Sequence, residues 1–95
     1  MRQELSLQVK RGEPFTVTLP SNANTGYAWR VIRAAMGKPT RRKYVPDEPV
    51  RLGSGGREEF TWAGVDGRGP FDIELVYERS DGHVAKVCAV SVTTH

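Results

Sequence analysis

The sequence predicts an all-β chain folded as an antiparallel sandwich of about six to eight strands. Three observations lead there. Apolar residues alternate with polar ones along the whole chain, clusters of Gly, Pro and Asp separate the alternating runs, and no convincing helical period appears anywhere. Alternation of this kind puts one face of each strand on a core and the other in water.

Taken in chain order, the first run is Leu5, Leu7 and Val9, which Gly12 brings to an end. Phe15, Val17 and Leu19 repeat the pattern as far as Pro20. Tyr27, Trp29 and Val31 then share a face, while Ala28 and Ile32 make the opposite face partly apolar. Residues 36–49 contain Pro39, Pro46 and Pro49. Proline cannot donate to a ladder, so this stretch is expected to be a crossover with at most one short edge strand, near residues 43–45. Phe60 and Trp62 resume the alternation, followed by Phe71, Ile73, Leu75 and Tyr77, and finally by Val84, Cys88, Val90 and Val92. Asp66-Gly67 and Asp81-Gly82 are the turn signals between these last runs. The expected core is these aliphatics together with Trp29 and Trp62, and the polar alternates are expected to face water.

Ninety-five residues suffice for one domain, 1–95, and for a single modest core. Hydrophobic residues at 38% and charged residues at 26% place the chain among ordered globular proteins rather than disordered ones. Its 14 basic residues outnumber 11 acidic ones, but they are interleaved with acids, and the only dense run is Arg41-Arg42-Lys43. A solvated face explains this better than nucleic-acid binding, and the aromatics look like core residues instead of a stacking platform. No apolar stretch approaches membrane-spanning length, and the opening residues MRQELSLQVKRG lack the apolar segment of an export signal. The compartment therefore stays open: cytoplasmic, or exported with a signal already removed. Cys88 is a single thiol in an apolar strand-like run, so it reads as inert core packing, and with only two histidines there is no zinc set. No metal, no cofactor and no enzymatic constellation is expected.

Three connecting segments stand out, since the strand ends of a sandwich collect loops distant in sequence at a common pole. The first is Ser21-Asn22-Ala23-Asn24-Thr25-Gly26-Tyr27-Ala28-Trp29, which is not an ordinary two-residue hairpin turn. The second, Arg51 to Phe60, holds Gly53, Gly55 and Gly56. It is not a phosphate loop, because Arg57 is followed by two glutamates and a strand, and not a dinucleotide fingerprint, because Glu58 stands where a third glycine belongs. The third segment runs from Tyr77 to His83.

An Asn-x-x-Thr-Gly-Tyr/Phe-x-Trp loop after the second strand, and a Leu-Gly-x-Gly-Gly loop before a later one, resemble the chagasin family of protein inhibitors of papain-like cysteine proteases. Here the motifs read Asn22-Ala23-Asn24-Thr25-Gly26-Tyr27-Ala28-Trp29 and Leu52-Gly53-Ser54-Gly55-Gly56. The spacing and strand order are similar across nearly the whole chain. The resemblance implies an immunoglobulin-like sandwich, a monomer, with no chemistry and no cofactor of its own, whose partner is a papain-like cysteine protease. It implies that the first loop enters the protease cleft with Thr25 at its tip and Asn22 bracing it, while the other two loops flank the cleft. Tyr27 and Trp29 are expected to anchor the base of the first loop. Two departures are visible. Ala23 stands where the family usually has proline, and Arg79-Ser80-Asp81 stands where its third loop carries Arg-Pro-Trp, so the arginine is kept and the aromatic anchor is missing. Gly69-Pro70-Phe71 lies at the wrong end of its strand to substitute. The alternative is an immunoglobulin-like module that keeps the scaffold and recognises a different protein or a glycan.

Overall fold

The computed structural model describes residues 1–48 and 53–95. Among them seven strands follow one another: β1 (Arg2–Val9), β2 (Phe15–Ser21), β3 (Tyr27–Ala34), β4 (Arg41–Pro46), β5 (Gly56–Trp62), β6 (Phe71–Arg79) and β7 (Val84–Thr94). They form a four-stranded sheet in the order β1-β7-β6-β3 and a three-stranded sheet in the order β2-β5-β4. The predicted immunoglobulin-like β-sandwich is the observed fold.

The alternation predicts burial most faithfully in β2, where Phe15, Val17 and Leu19 are buried and Thr16, Thr18 and Pro20 are exposed. Facing them across the sandwich are Trp29, Ile73, Leu75, Cys88, Val90 and Val92, and Phe60 and Trp62 come from the partner strand β5. Phe15 and Trp62 stack with centroids 5.7 Å apart. The indole of Trp62 is buried with its Nε1 donating to the Gly37 carbonyl at 2.9 Å, as a buried tryptophan requires. Cys88 is fully buried, and burial pushes its thiol up, away from the reactive thiolate. The proline-rich crossover holds its one short strand, β4, at the open edge of the three-stranded sheet.

Two expectations need correction. The sandwich is not wholly antiparallel, because β1 pairs with β7 in parallel, Leu5 opposite Val90 and Leu7 opposite Val92. Period-two alternation is the same in both kinds of ladder, so it carries no information about strand direction. Nor do all polar alternates face water: Ser21 and Glu58 are buried, at 7% and 2% exposure. Glu58 occupies the inward face by the same alternation that buries Phe60 and Trp62. In β3 the pairing slips between Val31 and Arg33, which leaves Ile32 exposed.

The ends of β2, β4 and β6 and the starts of β3, β5 and β7 all lie at one pole, because these strands pair antiparallel to one another across β3–β6, β6–β7, β2–β5 and β4–β5. Gly69-Pro70 precedes β6 and therefore sits at the opposite pole from Arg79, which ends it.

Candidate functional site

The first loop is a single 3-10 turn, Ala23–Thr25, closed at both ends by its own residues. The Asn22 side chain accepts the Asn24 N–H at 3.0 Å, the capping role for which short polar side chains are suited. At the other end Gly26 takes the left-handed conformation, φ 78°, that permits the chain to leave the turn and enter β3. Thr25 Oγ1 donates to the Asn22 carbonyl at 2.7 Å and accepts the Tyr27 N–H at 3.3 Å. Its hydroxyl thus braces the loop that it tips. Ala23, Asn24, Thr25 and Gly26 are exposed, whereas Asn22 and Tyr27 are half-buried.

Two side-chain amides tie this loop to the glycine loop. Asn22 Nδ2 donates to the Gly53 carbonyl at 3.3 Å, and Asn24 Nδ2 donates to the Ser54 carbonyl at 3.1 Å. The two backbones come close here: a Cβ on Gly55 would lie 3.1 Å from the Ser21 carbonyl oxygen, a tight contact that would require a small shift. Gly56 opens β5, and a Cβ there would lie 2.3 Å from the Val45 carbonyl oxygen, so its missing side chain serves the β4–β5 edge. Leu52, the first residue of the second motif, lies outside the described residues.

The third loop is held by itself. Arg79 N–H donates to the His83 carbonyl and Gly82 N–H to the Arg79 carbonyl, each at 2.9 Å. Asp81 accepts from Arg79 Nε at 3.1 Å and Nη2 at 2.9 Å, and its Oδ1 also accepts the His83 N–H at 3.0 Å. These hydrogen bonds, the Arg79 guanidinium first and the His83 N–H second, hold the Asp81 carboxyl below its ordinary value. Ser80 is exposed at the tip.

Tyr27 joins the first loop to the third. Its ring lies 5.5 Å beneath the Arg79 guanidinium, and its hydroxyl is 2.7 Å from His83 Nδ1. On its other side it stacks on Tyr77 at 5.4 Å, which in turn packs on Trp29 at 5.0 Å. Tyr77 accepts the Asn22 N–H on its hydroxyl at 2.9 Å. Burial pushes that hydroxyl up, but the hydrogen bond from the Asn22 backbone, the neighbouring Thr25 and Ser21 side chains and the nearby Lys86 charge leave it lowered. Trp29 is buried, its Nε1 donating to the Pro20 carbonyl at 2.8 Å. The two aromatics therefore form the base of the first loop.

The structure brings Asn22, Ala23, Asn24, Thr25, Gly26 and Tyr27 together with Gly53, Ser54 and Gly55 as one unit, with Arg79, Ser80 and Asp81 beside it through Tyr27. Sequence reasoning missed Glu58 and gave Tyr77 and His83, the bounds of its third segment, no role in the site. Glu58 accepts from Ser21 Oγ at 2.7 Å and from the Trp29 N–H at 2.9 Å, and pairs with Arg42. Counting back by twos from Trp62 and Phe60 would have placed it inside. Among the described residues no group of His, Cys, Asp or Glu side chains could hold a metal ion.

Residues 8–93 match the sequence model of the chagasin family peptidase inhibitor I42. Chagasin of Trypanosoma cruzi is 34% identical over 80 residues, covering 78% of this chain and 72% of that protein. Amebosin, known from a solution structure, superposes with a TM-score of 0.69 at 26% identity, over 100% of this chain and 99% of that one. PbICP-C, solved in complex with falcipain-2, has the same fold with a TM-score of 0.64 at 20% identity, over 100% of this chain and 90% of its own.

Proposed function

The chain belongs to the chagasin family of peptidase inhibitors, and we propose that it is a reversible, competitive inhibitor of papain-like cysteine proteases, filling their active-site cleft with the loops of one pole. One observation carries this reading: the first loop is exposed at its tip yet already closed on itself and clipped to the glycine loop by Asn22 and Asn24. A loop that is rigid before docking loses little conformational entropy on binding, which is what occlusion by a small protein requires.

In this reading Thr25 leads the wedge into the cleft. The backbone of Gly53, Ser54 and Gly55 lies along one wall, and Arg79, Ser80 and Asp81 face the other. A protein of the same fold, PbICP-C, was solved in complex with falcipain-2, which supports a protein partner. Inhibition is steric and involves no reacting group, so the inhibitor leaves the complex uncleaved, and the buried Cys88 plays no part.

The test is a titration of the purified protein against papain and a cathepsin L-type enzyme, following substrate hydrolysis. Competitive inhibition by a protein recovered intact is the expected result, unchanged after brief exposure to a thiol reagent. Inhibition lost on capping Cys88 in still-folded protein would refute the mechanism. One observation favours a second reading, an immunoglobulin-like module for a different protein or a glycan: the Arg79 guanidinium is already paired with Asp81 where the family carries an aromatic anchor. A folded protein that leaves both proteases untouched would select it.

A further inference from the structure

The first loop joins strands of different sheets, β2 in the three-stranded one and β3 in the four-stranded one. In a hairpin the ladder hydrogen bonds between the two strands hold the stems of the loop at fixed spacing. Here no ladder does so, and the stems must be held by something else. Beside Tyr77, which accepts the Asn22 N–H just past β2 and packs on Trp29, two hydrogen-bonded contacts among the described residues cross the gap. One is the Trp29 indole on the Pro20 carbonyl, 2.8 Å. The other is Glu58, whose Oε2 accepts from the last residue of β2, Ser21 Oγ at 2.7 Å, and from the Trp29 N–H of β3 at 2.9 Å. A single buried carboxylate oxygen thus spans both stems. Its second oxygen accepts from Arg42 Nε at 3.1 Å, and Arg42 reaches it from β4 with its own side chain half in solvent.

Fold stability alone does not account for a carboxylate at this position. It is 2% exposed, and a buried ion pair is often replaced by well-packed apolar side chains without loss of stability. An apolar side chain would fill the volume but could not accept hydrogen bonds from two strands at once.

We propose that Glu58 is a positioning residue for inhibition: it stands in for the missing ladder, setting the spacing and direction of the two stems so that the first loop is held in its docking shape. This rests on the inhibitory reading of that loop. The acceptor oxygen does the positioning, and Arg42 balances the charge.

The test compares Glu58→Gln, which keeps an acceptor for Ser21 and Trp29, with Glu58→Leu, which removes it. Val92→Ala, at the opposite pole, serves as a control for general destabilisation. In the free protein, NMR order parameters of residues 22–26 and amide exchange at Asn22 and Thr25, neither of which touches Glu58, report on loop order. With papain, association rates report on the fraction of molecules ready to dock. Glu58→Leu should loosen the loop and slow association by about 10-fold, because binding scales with the competent population. Glu58→Gln should stay within about 3-fold of the native protein on the same scale. A folded Glu58→Leu with unchanged loop order overturns the proposal, as does a Glu58→Gln that is equally impaired, or a Val92→Ala that reproduces the loss. If Glu58→Leu does not fold, Ser21→Ala decides: a looser first loop supports the proposal and an unchanged one overturns it. Native protein that inhibits no papain-like protease would defeat the inhibitory reading, while the measurements on the free protein would still judge the positioning of the loop.

Discussion

The first and third loops share a pole but are held in place in different ways. The third is closed by its own residues, Arg79, Asp81, Gly82 and His83 satisfying one another within five consecutive residues, and Tyr27 of the first loop rests against Arg79 and His83. The first closes its own turn, but its position depends on the Gly53 and Ser54 carbonyls, on Tyr77 and on Glu58, all far away in sequence. The difference teaches where each loop is vulnerable. Changes in the third reach the rest of the pole through Tyr27, which Arg79 and His83 touch, whereas damage to the first spreads into the glycine loop and the sheet beneath it.

The strongest test of this contrast rebuilds the third loop. The double substitution Ser80→Pro, Asp81→Trp restores the family's pattern and adds an aromatic group able to bury apolar area against a protease. After ordering and desolvation costs, inhibition should tighten by roughly 5- to 150-fold, chiefly through a slower off-rate. Inhibition constants and dissociation rates would measure it. Unchanged or weaker inhibition by the folded variant would mean that the third loop does not reach the protease.

Asn22→Ala should have the next largest effect, because one side chain supplies both the cap on Asn24 and the tie to Gly53. Loss of a cap costs about 0.5–2 kcal/mol, with the tie to Gly53 lost as well, and the melting temperature should fall together with potency. A variant that melted like the native protein would show that the cap and the tie to Gly53 contribute little to holding the loop.

Thr25→Ala should cost about 1 kcal/mol, the net value of an ordinary hydrogen bond. The structure changes what that loss means, since the hydroxyl is engaged with Asn22 and Tyr27 inside the loop. Thr25→Ser keeps the hydroxyl and should restore inhibition. If serine fails to rescue, the methyl group makes the contact that matters. Gly55→Val cannot separate binding from folding, because its side chain would press on the Ser21 carbonyl.

The smallest effect concerns acid. The Asp81 carboxyl is held below its ordinary value by Arg79 and the His83 N–H, so its contribution to the order of the third loop is complete above the unfolded value of about 3.9. It is lost only as the pH falls through the lower, folded value. The His83 amide shift, followed by NMR, should therefore titrate with a midpoint below the ordinary aspartate value, while the first-loop amides remain unmoved. A midpoint above that value would show that Arg79 and Asp81 are not paired in solution.

Much of this architecture could be read from residues in order. Val17 and Leu19, Phe60 and Trp62, Ile73 and Leu75 alternate with polar neighbours, and that alternation is a local consequence of pleated backbone, so it placed strands and core without any knowledge of partners. The prolines confined β4 to an edge for an equally local reason, the missing N–H. The loop motifs were legible too, because Asn, Thr and Gly are the residues that turns demand. What only the tertiary structure decided are contacts across sequence distance. The parallel pairing of β1 with β7 leaves no trace in a period that both ladder types share. Asn22 and Asn24 find their acceptors 31 and 30 residues away on backbone carbonyls, which have no side-chain signature to look for. Glu58 looked like a surface charge until folding set a serine, a backbone N–H and an arginine around it. A buried carboxylate is tolerated only where such partners converge, and convergence is a property of the packed sheets, not of any one strand.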